Sequence, residues 1–414
     1  MTDNNQQQIA VIGGGIIGVC TALTLQQAGY SVTLFDKDGV ASACSKGNAG
    51  HFATEQVFPL ANKHLITQLP KMLLDPLGPI RIRPSYLLKA LPWFGQFLLN
   101  MRDKPYQHSA TQLRLLNQHA LVAYKAMLEP LQLEKLIIET GSILVFEQTP
   151  DSEIDKIVKD FKSAGVPVEK LSKSAVQKLE PTLSDDVHAG ILFKTGGHSA
   201  DPADLCQQLA KAFVKQGGQL CIEKISQIET TQPIVLKTNE QTHYFDQIVV
   251  ATGAWSKSLA KQLGYKVPLD TERGYHVMVE QNQLLNRPVS SAERKFIMTP
   301  MSAGLRLAGT VEFAGLDAPE NHQRAKILLK HGQALVKNLD TNKQGSVWMG
   351  HRPSLPDSLP VIGRAPNHPQ VYFAFGHHHL GLTHGAITAQ LICQQMSEQS
   401  TTLDLTPFCI SRFN

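Results

Sequence analysis

The sequence has few cysteines, and none of them forms a recognisable pair. The six make no C-x-x-C motif and lie far apart, at Cys20, Cys44, Cys206, Cys221, Cys393 and Cys409. This scatter excludes a disulfide-rich secreted fold and a cysteine zinc site, and it predicts free thiols in a reducing compartment. Residues 1–8 are polar, and no apolar run is long enough to span a membrane. We therefore expect a cytoplasmic protein.

Charge is also sparse and nearly balanced. Charged residues make up 18% of the sequence, and the net charge is +4 without a dense cluster of Lys and Arg, so we expect no nucleic-acid partner. Three adjacent histidines, His377 to His379, look like a metal-binding run. Adjacent rings point in different directions, however, and no carboxylate or cysteine partner is evident, so we predict no metal site.

The first forty residues have the pattern of a βαβ unit. Residues 9–12 are an apolar run that ends in glycines, and residues 16–28 have a helical pattern closed by Gly29. Residues 31–35 are a second apolar run that ends on Asp36. Two buried strands joined by a helix are typical of a parallel sheet.

The turn between the first strand and the helix matches G-x-G-x-x-G. Glycines in this motif let the backbone turn tightly and approach a pyrophosphate, which binds the N–H groups at the helix N-terminus. An acidic residue after the second strand can accept hydrogen bonds from ribose hydroxyls. The residues expected at a dinucleotide are Gly13, Gly15, Ile16, Ile17, Gly18, Asp36 and Lys37. The motif alone does not separate FAD from NAD.

Five further motifs follow in order along the chain. They are Ser45-Lys46-Gly47-Asn48-Ala49-Gly50, the A-T-G-A-W-S stretch from Ala251 to Ser256, Gly304 to Thr310, Arg352-Pro353 with Pro360-Val361-Ile362-Gly363, and Gly376 to Thr383. In this order they resemble the D-amino-acid oxidase/glycine oxidase superfamily of FAD-dependent oxidoreductases. The best fit is to the bacterial D-amino-acid dehydrogenases of the small-subunit type. The resemblance spans nearly the whole chain and implies FAD as the cofactor.

The resemblance also implies which residues surround the flavin. Turns rich in glycine let the backbone lie against a flat ring, and the N-terminus of the helix after the last motif can stabilise negative charge on the reduced flavin. The residues implied are Ser45, Asn48, Ala49, Gly50, His51, Ala251, Thr252, Gly253, Trp255, Arg352, Gly376, His378, His379, Leu380, Gly381, Leu382 and Thr383.

The expected fold class is α/β plus α+β. A Rossmann-type FAD-binding domain with a parallel sheet is interleaved with a substrate-binding domain built on a mostly antiparallel sheet. We assign residues 1–60, 150–260 and 351–414 to the FAD-binding domain and residues 61–149 and 261–350 to the substrate-binding domain. Further helices are predicted over residues 111–131, over residues 201–216 with Asp201 as N-cap, and over residues 385–396.

Four side chains are candidates for the substrate site. In proteins with a similar R-P…P-x-I-G stretch the arginine binds the substrate carboxylate, so Arg352 is the first candidate. A surface arginine paired with Asp357 is the alternative. Tyr275 can offer a hydroxyl to the substrate or face the core. His51 can accept a proton from the amine or bind the flavin, and His379 falls where glycine oxidase carries a basic residue near the substrate.

These expectations predict FAD-dependent oxidative deamination of a small amino acid, with D-amino acids favoured and proline- or hydroxyproline-like ones included. Hydride would pass from the α-carbon to flavin N5, and electrons would pass on to a quinone or another carrier. One alternative is a glycine/sarcosine-type amine oxidase that uses oxygen. Another, of a different class, is a flavin-binding subunit of a larger complex without turnover of free amino acids.

An apolar, aromatic segment at residues 86–99 bears on the electron acceptor. Arg81, Arg83 and Arg102 flank it. One interpretation is a peripheral contact with the inner membrane, where quinone resides. The other is a buried helix of the substrate domain, which Pro92 favours because proline is expected to break a continuous amphipathic helix.

Overall fold

The computed structural model describes residues 7–63 and 78–413. The strands of these ranges are, in chain order, β1 (Gln8–Ile12), β2 (Ser31–Phe35), β3 (His51–Phe52), β4 (Ile80–Ile82), β5 (Ser142–Phe146), β6 (Val168–Ser172), β7 (Ala189–Phe193), β8 (Gly197–His198), β9 (Gln219–Cys221), β10 (Gln227–Glu229), β11 (Ile234–Lys237), β12 (Thr242–Phe245), β13 (Gln247–Val250), β14 (Asp270–Val279), β15 (Val289–Ser291), β16 (Phe296–Met301), β17 (Gly304–Phe313), β18 (Gln344–Ser354), β19 (Val361–Ala365) and β20 (His368–Phe375). The α-helices are α1 (Ile16–Gln27), α2 (Leu87–Asn100), α3 (Asp103–Leu128), α4 (Asp151–Ser163), α5 (Lys173–Leu179), α6 (Pro202–Lys215), α7 (Ser256–Gln262), α8 (Gln323–Leu335) and α9 (Gly381–Met396).

The first βαβ unit lies in the middle of a six-stranded sheet with the order β19-β20-β13-β1-β2-β9. Strand β1 pairs in parallel with β2 on one side and with β13 on the other. Strand β13 pairs in parallel with β20, and β19 is an antiparallel edge strand. The chain therefore leaves β1 toward one side and returns on the other, which opens a crevice at the carboxyl ends of β1 and β13.

Both faces of this sheet are covered, which explains why its central strands are continuously apolar. Ile9 and Val11 of β1 pack in a core with helices α1, α6 and α9. Ala10 and Ile12 point the other way and pack in a second core with the small sheet β10-β11-β12. Helix α1 is buried along most of its length, so its apolar sequence has no polar face.

A larger sheet has the order β18-β14-β17-β16-β15-β5-β7-β6, with β4 paired to β17. Most neighbours are antiparallel, whereas β15 with β5 and β4 with β17 are parallel. Val277 and Val279 of β14 pack with Leu305 and Leu307 of β17 in a core that includes helix α8. The opposite side of β14 carries His276, which bonds to the loop before β3. This side therefore faces the six-stranded sheet and its crevice.

The expected combination of a parallel and a mostly antiparallel sheet is confirmed. Strands β1 and β2 and helix α1 lie where the sequence predicts them. Asp201 caps helix α6, since its Oδ1 accepts hydrogen bonds from the N–H groups of Ala203 at 2.9 Å and Asp204 at 3.1 Å. The six cysteines all lie in the described ranges, and all are free thiols.

The sheet pairing bears on the domain boundaries. Strands β6 and β7 lie within residues 150–260, which we assigned to the FAD-binding domain, yet they pair with each other and β7 pairs with β5 in the larger sheet. We propose that residues 142–193 belong to the second domain. The remaining boundaries stay a prediction.

Two helices begin earlier than the sequence indicated. Helix α3 begins at Asp103, and α9 begins at Gly381, so Gly385 lies inside α9. A Cβ at Gly385 would stand 2.4 Å from the Tyr124 hydroxyl. That hydroxyl donates to the Leu382 carbonyl at 2.7 Å. The glycine therefore serves close packing of α3 against α9 and does not mark a helix boundary.

Pro92 does not break helix α2, contrary to our expectation. The proline removes the hydrogen bond that the Leu88 carbonyl would accept. Leu88 and Pro92 both lie on the exposed face of the helix, where water can satisfy that carbonyl. The opposite face is buried through Ala90, Trp93 and Phe97. Within residues 7–63 and 78–413, no helix is both long and apolar enough to cross a bilayer.

Replacing Asp201 with alanine removes the acceptor for two N–H groups at the start of α6. We expect the D201A variant to lose about 1 kcal/mol of stability, measured as a lower midpoint of thermal unfolding. Asp155→Ala is the control, because Asp155 is an exposed carboxylate that pairs with Lys170 at the surface. It should change stability by less than about 0.5 kcal/mol. Equal midpoints for D201A and the unmodified protein would contradict the capping role.

Candidate functional site

A cleft opens at the carboxyl ends of β1 and β13, where the order of strands in the sheet reverses on either side of β1. Its volume is about 380 Å³. Many residues predicted at a cofactor line it: Gly13, Gly15, Ile16, Ile17, Asp36, Lys37, Ser45, Asn48, Ala251, Thr252, Gly253, Trp255, Gly376, His378, Gly381 and Leu382. The structure therefore brings together the turn before α1, the loop before β3, the end of β13 and the turn before α9.

The glycine turn at the head of the cleft has no room for side chains. Gly13 has φ +118, and a Cβ there would stand 2.4 Å from the carbonyl oxygen of Ala251. A Cβ at Gly18 would stand 1.8 Å from the carbonyl oxygen of Gly13. The turn, the first helix and β13 are thus packed backbone to backbone, which leaves the N-terminus of α1 open toward the cleft.

Two polar side chains fix this turn. Asp36 Oδ2 accepts a hydrogen bond from the Gly14 N–H at 2.7 Å, and its Oδ1 accepts one from Asp38 N–H at 2.9 Å. Ser45 Oγ accepts a hydrogen bond from the Ile16 N–H at 2.8 Å, so a distant serine supplies the cap that Gly15 lacks. Asp36 retains lone pairs that can accept further hydrogen bonds at the edge of the cleft.

The cleft also has lining residues that were not among those predicted at the cofactor: Ile12, Phe35, Asp38, Ser42, Ala43, Cys44, Glu223, Lys224, Ile225, Ala254, Ser258, Leu259, His351, Pro353, Ala374, Phe375 and His377. Of these, Ala254, Pro353 and His377 stand within the motifs themselves. Most of them are neighbours in sequence of predicted residues, and this proximity was the signal in the sequence that could have identified them. Residues 223–225 had no such signal, because they follow β9, and only the folded sheet shows that β9 pairs with β2. Burial raises the pKa of the Cys44 thiol to about 12, against the effect of Arg352, so this thiol stays protonated at neutral pH.

Arg352 lies on β18 at the border between the two sheets. Its guanidinium occupies the space above Gly274 of β14, where a Cβ would stand 2.3 Å from it. Among the described residues its one hydrogen bond runs from Nη1 to the Thr310 carbonyl at 3.4 Å. Thr310 has φ +57, a strained conformation for a β-branched residue. Arg352 thus keeps most of its five N–H donors for a ligand.

A hydrogen-bonded chain lies beside Arg352. The Leu355 N–H donates to His378 Nε2 at 3.0 Å, so the ring proton is on Nδ1, which donates to Ser354 Oγ at 3.0 Å. The Ser354 hydroxyl in turn donates to Glu272 Oε1 at 2.5 Å. Burial lowers the pKa of His378 to about 3, which keeps the ring neutral. Burial raises the pKa of Glu272, whereas Ser354 and Arg352 lower it.

The loop before β3 is held against the larger sheet by side chains that we did not predict. His276 Nδ1 bonds to the Gly47 carbonyl at 3.0 Å, and the His276 ring stacks on Trp348. Trp348 also fills the space of a side chain at Gly47. The Arg306 guanidinium donates a hydrogen bond to the carbonyl of Asn48. Arg306 therefore clamps the loop from β17.

Two of the four substrate-site candidates, His379 and His51, are histidines outside the lining of the cleft. Burial lowers the pKa of His379 to about 3, and the charges of Arg352, His378 and His51 contribute to this shift, so His379 lies within electrostatic reach of them. His51 Nε2 lies 3.6 Å from Glu55 Oε1, and both side chains are buried. The alternative pairing of Arg352 with Asp357 is absent within the described ranges, since Asp357 pairs with Arg412 at 2.7 Å.

The structure does not bring Tyr275 to Arg352. Gly274 lies on the side of β14 that Arg352 covers, and successive side chains of a strand point to opposite sides. The Tyr275 hydroxyl donates to Glu312 Oε2 at 2.6 Å and accepts from the Asn321 N–H at 3.1 Å. Tyr275 is therefore packed in the core on the far side of the sheet, which is the alternative left open for it.

The remaining predicted residues surround the cleft without lining it: Gly18, Ala49, Gly50, His51, Arg352, His379, Leu380 and Thr383. Thr383 Oγ1 accepts a hydrogen bond from the Ala53 N–H at 3.0 Å and so ties α9 to the loop around β3. Gly50 has φ +76, and a Cβ there would stand 2.7 Å from the Ser199 carbonyl. Thr383 and Gly50 therefore support the position of the loop around β3.

A comparison with protein families decides what kind of cleft this is. The model of the FAD dependent oxidoreductase family, DAO, matches residues 8–395. The chain belongs to this family. It is therefore an oxidoreductase with FAD as its cofactor, and the backbone-packed glycine turn, Asp36 and the open N-terminus of α1 are a cradle that fits a dinucleotide.

Relatives match along nearly the whole chain. The D-amino-acid oxidase of Bradyrhizobium diazoefficiens is 34% identical over 98% of this chain and 99% of its own length. The D-amino acid dehydrogenase of Vibrio vulnificus is 27% identical over 95% of this chain and 98% of its own length. The crystal structure of glycine oxidase from Geobacillus kaustophilus has a TM-score of 0.77 at 22% identity, covering 98% of this chain and 99% of that one. This last likeness shows a shared fold.

Substitution of Gly18 tests the cofactor cradle. In Gly18→Ala the added methyl group would overlap the Gly13 carbonyl and force α1 away from β1. We expect this variant to purify with little or no bound FAD, measured as visible flavin absorbance per protein. Gly95→Ala is the control, since Gly95 lies on a helix with open space around the added group. A G18A variant with a full complement of FAD would contradict the role of this turn.

Proposed function

We propose that this chain catalyses the FAD-dependent oxidative deamination of a small D-amino acid, a class that includes proline- and hydroxyproline-like substrates. The observation that carries the proposal is the guanidinium of Arg352 beside the cofactor cleft, with N–H donors that no described residue uses. The relatives named D-amino-acid oxidase and D-amino acid dehydrogenase support the substrate class.

In this proposal Arg352 binds the substrate carboxylate in a two-pronged geometry. The hydrogen-bonded chain from His378 through Ser354 to Glu272 fixes the position of the Glu272 carboxylate, which interacts electrostatically with Arg352. His379 stays neutral, and it offers a hydrogen-bonding ring without adding a second positive charge. FAD, when bound, supplies the acceptor for the hydride that leaves the substrate α-carbon.

Replacing Arg352 tests the carboxylate anchor. We expect Arg352→Ala to keep its FAD but to need roughly 30- to 1,000-fold more substrate for half-maximal flavin bleaching, because a charged hydrogen-bond partner is lost. The measurement is anaerobic bleaching against a panel of D- and L-amino acids, glycine, sarcosine and D-proline analogues. Arg352→Lys keeps the positive charge but loses the forked geometry. The substrate concentration that it needs for half-maximal bleaching should therefore lie between those of the unmodified protein and R352A.

Unchanged substrate dependence in R352A would remove Arg352 as the anchor. Bleaching of the unmodified protein by no free amino acid would remove the proposed function and favour a flavin-binding subunit of a larger complex.

We further propose that the electrons pass to a quinone at an anionic membrane surface. Helix α2 supports this, because its outward face carries leucines that are exposed among the described residues. Leu88 is 79% exposed, and Leu91, Leu98 and Leu99 are each more than half exposed. A continuous apolar stripe on one side of a helix is typical of interfacial binding.

The charges around this stripe favour an anionic lipid surface as its partner. Lys89, Arg102 and Lys104 are exposed on or next to the helix, and basic residues near a membrane surface add attraction to acidic headgroups. Asp103 is exposed in the same region, but its charge is matched by Lys63 at 2.5 Å. The described part of this surface is therefore apolar in the middle and basic at its edge.

Flotation with vesicles tests the membrane contact. We expect the holoenzyme to float with phosphatidylglycerol-containing vesicles at low salt. A Leu88→Asp, Leu91→Asp double variant should reduce the bound fraction by roughly tenfold, since it charges the apolar stripe. Val214→Asp, at an exposed valine on α6, is the matched control and should float like the unmodified protein.

If the unmodified protein stays with the soluble fraction, the membrane contact is wrong. Stoichiometric peroxide formation with substrate in air would then favour the second candidate function, an oxygen-using amine oxidase, which the name of the Bradyrhizobium relative supports.

A further inference from the structure

Glu272 and Arg352 lie directly opposite each other on neighbouring strands, yet they form no ion pair. The register of β14 and β18 places them opposite one another, and residues paired in this way have side chains on the same side of the sheet. Opposite charges at such positions are close enough to attract each other. Among the described residues, however, no ion pair joins the two side chains, and the one hydrogen bond that Arg352 donates goes to the Thr310 carbonyl.

The two side chains are directed away from each other along the sheet. Ser354 lies one pair further along β18, opposite Asp270, and its hydroxyl donates to Glu272 Oε1 at 2.5 Å. The guanidinium of Arg352 lies in the other direction, over Gly274, where a side chain would collide with it. A diagonal contact with Ser354 therefore draws the carboxylate one way, while the space above Gly274 takes the guanidinium the other way.

The direction of the Ser354 hydroxyl is fixed from the cofactor side. The Leu355 N–H donates to His378 Nε2 at 3.0 Å, so the ring carries its proton on Nδ1 and donates it to Ser354 Oγ at 3.0 Å. Because the hydroxyl accepts from the ring, its own proton is free for Glu272. The Ser354 backbone is held as well, since its carbonyl accepts from the Trp93 indole at 3.3 Å. His378 lines the cleft, so the chain that holds Glu272 begins beside the cofactor.

Both groups carry the charges that would draw them together. Arginine stays protonated in proteins, and Glu272 acts against the lowering of the Arg352 pKa by burial. Burial raises the pKa of Glu272, whereas the hydrogen bond from Ser354 and the charge of Arg352 lower it. The distance of 2.5 Å between Ser354 Oγ and Glu272 Oε1 is typical of a hydroxyl that donates to an ionised carboxylate. The attraction between the carboxylate and the guanidinium is therefore present but not satisfied by contact.

The unused donors of Arg352 reach open space. Its Nε and Nη2 have no hydrogen-bond partner among the described residues, but neither nitrogen is fully enclosed by protein. Arg273 on β14 differs, because all three of its guanidinium nitrogens are enclosed and without a hydrogen bond in the described ranges. A ligand can therefore reach Arg352, and a contact with Glu272 would take up the donors that the ligand needs.

We propose that Ser354 is a positioning residue that holds the Glu272 carboxylate away from Arg352, so that the guanidinium stays open to the carboxylate of an amino acid. Without the Ser354 hydroxyl, Glu272 would turn to the arginine directly opposite it and compete with the ligand. The inference rests on the proposed function, since it takes Arg352 as the substrate anchor. Neither Ser354 nor Glu272 was among the candidates from the sequence.

Calorimetry with benzoate tests this role. Benzoate carries a carboxylate and no amine, and its binding to the oxidised holoenzyme is measured. We expect Ser354→Ala to bind benzoate about tenfold more weakly, because pairing of Glu272 with Arg352 in about nine of ten molecules leaves only about one tenth able to bind. Glu272→Gln should bind benzoate at least as tightly as the unmodified protein, since the carboxamide carries no charge that competes.

The double variant S354A/E272Q distinguishes competition from structural damage. Removal of the competing carboxylate should return the benzoate affinity to within about twofold of that of E272Q, whereas damage to the site would remain in the double variant. Ser184→Ala is the matched control, because it removes a hydroxyl that donates to Asp186 at the surface. This control should bind benzoate like the unmodified protein. Visible flavin absorbance per protein confirms that each variant holds its FAD.

The kinetics of anaerobic flavin reduction give a second readout. The substrate is the amino acid of the bleaching panel that reduces the unmodified protein at the lowest concentration. In S354A the concentration for half-maximal rate should rise about tenfold. The maximal rate should fall by less than about threefold, because a saturating substrate displaces Glu272 from Arg352. A merely structural role of Ser354 would not separate these two quantities.

Three results would overturn the inference: equal benzoate affinity in S354A and the unmodified protein, a loss in S354A that persists in the double variant, or weaker binding in E272Q. If S354A does not fold, E272Q decides alone, since weaker binding there means that Glu272 supports Arg352. An unmodified holoenzyme that does not bind benzoate also overturns the inference, because its guanidinium is then not open to a carboxylate. The proposed function survives each of these outcomes and fails only if no amino acid reduces the unmodified protein.

Discussion

The positive charge of Arg352, enclosed where the two sheets meet, is the constraint on which the rest of the site depends. Burial lowers the pKa of this guanidinium, and the Glu272 carboxylate counteracts that shift. The guanidinium occupies the space left by the missing side chain at Gly274. Its one described hydrogen bond is donated to the carbonyl of Thr310, a residue in a strained conformation. Among the described residues, the carbonyl of Thr310 is the one hydrogen-bond acceptor for this guanidinium, so most of its N–H donors remain available to a ligand.

The buried histidines near Arg352 add no positive charge to the site. His377, His378, His379 and His384 all have pKa values lowered, first of all by burial. Four rings that look like a cationic or metal-binding cluster in the sequence are therefore neutral hydrogen-bonding groups. The charged groups that remain beside these neutral rings are Arg352 and Glu272.

The sequence was sufficient for the parts of the site that depend on local backbone geometry. The glycine turn and Asp36 could be predicted because a βαβ unit places them at one edge of a sheet, whereas the end of β13 was implied by the family resemblance. Pairings between distant segments could not, because neither the cap that Ser45 provides for α1 nor the clamp of Arg306 on Asn48 leaves a periodic pattern. The side of the sheet that Tyr275 faces could not be predicted for a related reason. A strand residue faces one side or the other according to register, and register is visible only in the paired sheet.

Helix α2 links the exposed leucines at the surface to strand β18 in the interior. Trp93 is buried between them, and its Nε1 donates to the Ser354 carbonyl at 3.3 Å. The Ser354 hydroxyl belongs to the chain that ends on Glu272 beside Arg352. The exposed leucines of α2 and the guanidinium of Arg352 are therefore both fixed to the same strand, β18. The position of α2 relative to the cleft is set without a hinge, because the link consists of a packed indole and one strand.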